Sequence, residues 1–325
     1  MKKGFALMAG CLIFLFGCNK TSTNEDLSSA DENTPITHRS CASNDVLLQQ
    51  LQENPELAQR MQDIENFTEA YGRNPANNRL IAGGVIEIPV VVNVLYKTAA
   101  QNISQAQIQS QIDVLNEDFK ALNADYNSTP SLFQSVRSGD VKVSFVLDKV
   151  VRKSTTKTSW GTNDAMKKSA SGIVPTSPTT KLNLWSCNLS GGILGYAQFP
   201  GGSSATDGVV IDDNAFGRTG TVSAPYNKGR TATHEVGHWL NLRHIWGDAT
   251  CGNDLVGDTP AHNTANYGCP AYPHYSTCTG TPVEMTMNYM DYTDDACMYM
   301  FSAGQKTRMQ AVFAVGGPRN SFAQP

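Results

Sequence analysis

The sequence predicts an α/β fold with an irregular, cysteine-rich C-terminal part. Three observations carry that prediction. Apolar, β-branched runs recur between residues 86 and 212, helical periodicities alternate with them, and four of the 8 Cys fall after residue 250. With 325 residues, 40% hydrophobic and 17% charged, the chain can bury a core and is too apolar for a disordered polymer. One or two domains fit this length. A formal net charge of -4 and the lack of a basic stripe exclude nucleic-acid binding by bulk electrostatics.

Lys2 and Lys3 precede an apolar run from Phe5 to Phe16, too short to span a bilayer as a helix. The run ends in Leu15-Phe16-Gly17-Cys18, which resembles a bacterial lipobox, where the cysteine becomes the lipidated first residue. Residues 1–17 are then a signal peptide. Cys18 holds an exported protein at a cell surface or outer membrane through acyl chains rather than a helix. An ordinary signal peptide cut near Gly17 is the alternative and would give a secreted protein. Eight cysteines fit an oxidising compartment. The polar residues 19–26 read as a tether.

The elements follow in order. Val46, Leu47, Leu51, Leu57, Met61 and Ile64 recur at helical spacing over residues 45–70, broken near Pro55. Asn74-Pro75-Ala76-Asn77-Asn78 reads as an exposed linker. Residues 86–96 contain Val90-Val91-Val92 and read as a buried strand. Ile108, Ile112, Leu115 and Phe119 mark an amphipathic helix over 104–122, with Ser104 as N-cap. Strands follow at 141–151, 181–185 and 208–212, with a short edge strand at 194–199. A strong helix starts near Arg230, and a last helix covers 303–314.

The chemistry lies in the strong helix. Three of the 6 His are His234, His238 and His244. His234 and His238 stand about 40° apart in projection on a helix, so both point at one ion. Glu235 faces another way and is free to handle the proton of an attacking water. Imidazole suits zinc, and three protein ligands with one open position make a hydrolytic site. A continuous helix would carry His244 about 280° round from His234, out of reach. The chain must leave the helix between them, and a left-handed Asn241 would end it.

His234-Glu235-x-x-His238-x-x-Asn241-x-x-His244 resembles the metzincin metalloprotease signature, with Asn241 where most members have Gly. Asn288-Tyr289-Met290-Asp291-Tyr292 is similar to the metzincin Met-turn, whose Met lies beneath the zinc. The strings from His234 to Asp248 and from Asn288 to Cys297 resemble the pappalysin (ulilysin-like) branch. The resemblance spans about Ile88 to Ala314. It implies a two-subdomain catalytic domain over 81–325, divided near residue 244. Its twisted, mostly parallel sheet has an antiparallel edge strand, and its C-terminal subdomain is disulfide-rich. It implies a zinc endopeptidase acting on proteins or peptides, with Glu235 as general base and Tyr292 as zinc contact or oxyanion stabiliser. Gly195, Tyr196 and Ala197 would form the upper-rim strand that pairs with an extended substrate. Asp295, or its neighbour Asp294, would select Arg or Lys after the cut. A gluzincin is excluded because no Glu lies between Trp239 and Val283.

Cys251, Cys269, Cys278 and Cys297 allow three pairings. The pappalysin pattern implies Cys251 with Cys278 and Cys269 with Cys297. Cys41 and Cys187 remain, either as a third disulfide or with Cys41 as a switch. Arg39-Ser40-Cys41, inside a presumed tether and pro-segment over 18–80, resembles a cysteine switch that fills the open zinc position. Cleavage near Arg73 or Arg79 would then activate the enzyme. Asp248, Asp254, Asp258 and Thr259 crowd oxygen into a Gly-rich loop, which suits calcium; the resemblance implies calcium there too. The rival from another class is a lipid-anchored binding or adhesion protein on a dead scaffold, against which the intact Glu235 argues.

Overall fold

The computed structural model describes residues 1, 38–74, 84–168 and 170–323. The signal region, Cys18, the tether, the linker after Asn74 and Arg79 lie outside them. The elements are α1 (Ser43–Glu53), α2 (Glu56–Arg73), β1 (Ile86–Tyr96), α3 (Gln105–Phe119), β2 (Val143–Ser154), β3 (Leu182–Cys187), β4 (Gly195–Ala197), β5 (Val209–Asp212), α4 (Arg230–Trp239) and α5 (Ala303–Ala311).

The strands form one sheet in the order β2-β1-β3-β5-β4. The first three pairings are parallel, and β4 runs antiparallel to β5 at the edge. β3 is buried throughout and β1 nearly so, which is why both are continuous apolar runs rather than alternating ones. Most of the core lies between one face of this sheet, α3, α4 and the segment around Met290. A smaller cluster on the other face holds Trp160, Trp185 and Tyr196.

Local chemistry sets the boundaries. Ser104 accepts from Gln107 N and starts α3, and Ser302 with Gln305 makes a capping box at α5. α3 stops at Phe119, short of the expected Leu122, because Ala121 turns left-handed with φ 56°. Pro55 separates α1 from α2. α4 is buried on every side, with the sheet on one face and Met290 on another. No described helix is long and apolar enough to cross a membrane.

Candidate active site

α4 carries His234 and His238 one turn apart. It ends at Trp239, and Asn241 adopts φ 71°, which turns the chain so that His244 returns to the same point. His238 Nε2 lies 3.1 Å from both His234 Nε2 and His244 Nε2. Each Nδ1 faces an acceptor on the outside: Tyr289 O and Leu242 O, both at 2.7 Å, and Asp248 Oδ1 at 2.5 Å. Those contacts place the protons on Nδ1 and aim three Nε2 lone pairs at one spot. Burial, and then the neighbouring imidazoles, push His234 and His238 well below the ordinary histidine range. Three imidazole Nε2 atoms converging on one spot fit a zinc ion.

The segment that leads into α1 enters this cleft. Cys41 Sγ joins the three histidines, with all four ligand atoms within 4.8 Å of one another. The thiol also lies 3.2 Å from Glu235 Oε2, and Ser43 Oγ donates to that oxygen at 2.7 Å. Burial raises Glu235 to about 7, with those two hydrogen bonds and Arg39 pulling the other way. The backbone pairs with the sheet edge: Ala42 N donates to Gly195 O, and Leu194 N donates to Ser40 O. Cys41 and Gly195 thereby make a parallel bridge. Ala197 N donates to Ser43 Oγ at 2.8 Å. The segment therefore takes up the edge groups of Gly195 and Ala197 that face the cleft.

Two residues earlier, Arg39 inserts into a closed pocket. Its Nη2 bonds Asp295 Oδ1 at 2.6 Å, its Nη1 bonds Thr231 Oγ1 at 3.1 Å, and its Nε donates to Thr293 O at 3.2 Å. The guanidinium lies over the Tyr226 ring. Asp295 is fully buried and also accepts from Lys228 N and Arg230 N.

This geometry has counterparts. A family model described as Pregnancy-associated plasma protein-A, peptidase M43, matches residues 189–314. An extracellular metalloprotease of Arthroderma benhamiae is 32% identical over 255 residues, covering 75% of this chain and 84% of the relative. Mature mirolysin of Tannerella forsythia, solved in complex with a cleaved peptide, is 46% identical with a TM-score of 0.70, covering 73% of this chain and 95% of that chain. A promirolysin mutant from the same organism is 43% identical with a TM-score of 0.79, covering 87% and 97%. This chain belongs to the M43, or pappalysin, family. It is a zinc metalloendopeptidase on a metzincin fold.

The remaining residues of this M43 peptidase fall as follows. Tyr292 packs against His234 and His244, and its hydroxyl donates to Cys41 O at 3.0 Å and accepts from Cys41 N. Met290 lies beneath α4, where its Sδ would sit 2.5 Å from a Cβ at Gly237. Disulfides join Cys251 to Cys278 and Cys269 to Cys297, whereas Cys41 and Cys187 are both free and buried. The Tyr196 side chain points away from the cleft, donating to Asp164 Oδ1 at 2.9 Å behind the strand. Strand alternation forces this, since a Cβ at Gly195 would face Glu235 and the next side chain takes the opposite face of the sheet.

The four acidic-loop residues do not gather. Among the described residues, the histidines with Cys41 are the one such cluster of His, Cys, Asp or Glu. Asp248 turns to His244, Asp254 accepts from Thr259 and Val256 N, and Asp258 accepts from Ser302 and Gly304 N at the start of α5. Sequence reasoning missed Ser43, which no motif marks. Arg39 stands in the sequence only as part of Arg39-Ser40-Cys41, and its partner Asp295 becomes visible in the fold.

Proposed function

We propose that the chain is an exported, self-blocked zinc endopeptidase that cuts before Arg or Lys. The observation that carries this reading is Arg39 seated on Asp295 while Cys41 stands among the three histidines. One basic side chain in a buried acidic pocket is what a substrate residue following the cut would reproduce. When bound, zinc polarises the scissile carbonyl. Glu235, freed from Cys41 and Ser43, takes the proton of the attacking water and passes it to the leaving amine. A carboxylate beside the attacking water suits both transfers. Tyr292, released from Cys41, donates to the oxygen that gains charge. The vacated Gly195 O and Ala197 N pair with the substrate backbone.

In this reading, residues 1–17 are the signal, 18–80 the tether and pro-segment, and 81–325 the catalytic domain. Cys18 carries the lipid anchor, and the similarity to fungal proteins named extracellular metalloproteases supports export. Calcium binds in the oxygen-dense loop at Asp254, where the Thr259 hydroxyl meets the carboxylate. A rise in melting temperature on adding calcium tests it.

The decisive experiment is a cleavage profile. The matured enzyme, with zinc, is offered a diverse peptide library, and cuts are mapped by mass spectrometry. Cuts before Arg or Lys, lost in Glu235→Gln and relaxed in Asp295→Asn, are expected. Cuts with no basic preference would remove Asp295 from the reading, and no cuts by a folded, zinc-loaded protein would remove the peptidase.

A further inference from the structure

Outside the zinc cleft, α2 delivers a carboxylate to a basic pocket. Arg308 Nη2 donates to both Glu65 oxygens, at 2.9 and 2.8 Å. Asn241 Nδ2 donates to Glu65 Oε1 at 3.4 Å, and Arg243 Nη2 stands 3.9 Å away. Two guanidiniums thus face one carboxylate. Arg308 also donates to Asn241 O and Leu255 O, so the enzyme body fixes it independently of α2. The Nε atoms of Arg308 and Arg243 are buried with no partner, leaving donor capacity that Glu65 does not use.

The pocket lies in line with the cleft. Asn241 and Arg243 belong to the turn that joins the second and third histidines. A cavity of about 270 Å³ between α1 and α2 is lined by Asn44, beside Ser43, and by Glu65, with Arg243 as its one wall from the enzyme body. Along the pro-segment the contacts therefore run from Arg39 at Asp295, through Cys41 at the histidines and Ser43 at Glu235, to Glu65 at the arginines. If the Asp295 pocket receives the residue after the cut, as proposed above, the arginines lie on the side that receives residues before it.

We propose that Arg308, Arg243 and Asn241 form a carboxylate-binding exosite. Glu65 fills it in the latent chain, and an acidic side chain of the polypeptide substrate, before the cut, fills it in the mature enzyme. Loss of α2 removes the carboxylate that both guanidiniums face and leaves Arg308 only the electrostatic influence of Asp254, which favours a replacement anion. The inference rests on the proposed cleavage polarity.

The test uses enzyme matured from the full chain. Peptides with Arg after the cut carry a single Glu at successive positions from the second to the sixth before it, each with a Gln twin. At one or two positions the Glu peptide is expected to exceed its twin in kcat/KM by about fivefold, the range of a part-exposed ion pair. The gain lies in KM and fades in high salt. It disappears in Arg308→Gln and in Arg243→Gln. The Glu-to-Gln ratio is taken within one preparation, so unfolded enzyme cancels, and Arg243→Gln decides the matter where Arg308→Gln fails to fold. Equal rates at every position, or a preference that survives both substitutions, overturn the exosite alone. Failure to cut any peptide overturns the peptidase reading and the exosite with it.

Discussion

Replacing Arg39 by Ala in the intact chain is expected to break latency while leaving the mature enzyme untouched. Arg39 is 1% exposed and Asp295 fully buried, so the pair is desolvated on both sides. Removing one partner of such a pair costs about 3–5 kcal/mol. Asp295 keeps the Lys228 and Arg230 backbone donors, which places the loss near the lower end. About 3 kcal/mol corresponds to roughly 150-fold in the balance between closed and open pro-segment. The segment stays attached through Glu65 and through Leu47, Leu57 and Met61, which pack with Phe199. The readout is therefore a rate rather than dissociation. Initial hydrolysis of a quenched peptide by uncleaved protein, its integrity checked on a gel, should rise by about that factor or up to the ceiling set by mature enzyme. Arg39→Lys, which keeps the charge but loses the forked geometry, should fall between. An uncleaved Arg39→Ala protein as silent as the parent would refute the reasoning.

Three further outcomes are expected. Chelation should lower the melting temperature by roughly 5–10 °C and zinc should restore it, as for loss of about 3 kcal/mol of ligand linkage; an unchanged melting curve would mean that the three histidines hold no metal. Gly237→Ala places a Cβ 2.5 Å from Met290 Sδ and should destabilise by about 1–3 kcal/mol, read as a lower denaturant midpoint. An unshifted midpoint would show that the turn beneath α4 yields freely. Burial, and then the charge of Asp213, raise Asp212 to about 8. The folded chain thus holds this proton more tightly than the unfolded chain does, so stability falls as pH rises from about 4 to about 8. Asp212→Asn should flatten that fall in melting temperature against pH, and parallel curves would count against it.

The sequence alone determined what local spacing encodes. Runs such as Val90-Val91-Val92 and the i, i+4 histidines follow from the periods of strand and helix, and these survive without knowledge of any distant residue. The need for a break before His244 was likewise a matter of angle, and Asn241 supplies it with φ 71°. Residues whose partners lie far along the chain were a different matter. Arg39 meets Asp295 across 256 positions, and Ser43 meets Glu235 across 192. No period relates such residues; the stacking of the pro-segment on the sheet edge does. The acidic loop shows the converse. Asp248, Asp254 and Asp258 are neighbours in sequence, and the tertiary structure sends them to a histidine, a threonine and a helix start, because each oxygen bonds the nearest available donor. Spacing fixed which side chains could share a helix face; only the packing of distant segments decided which of them share a site.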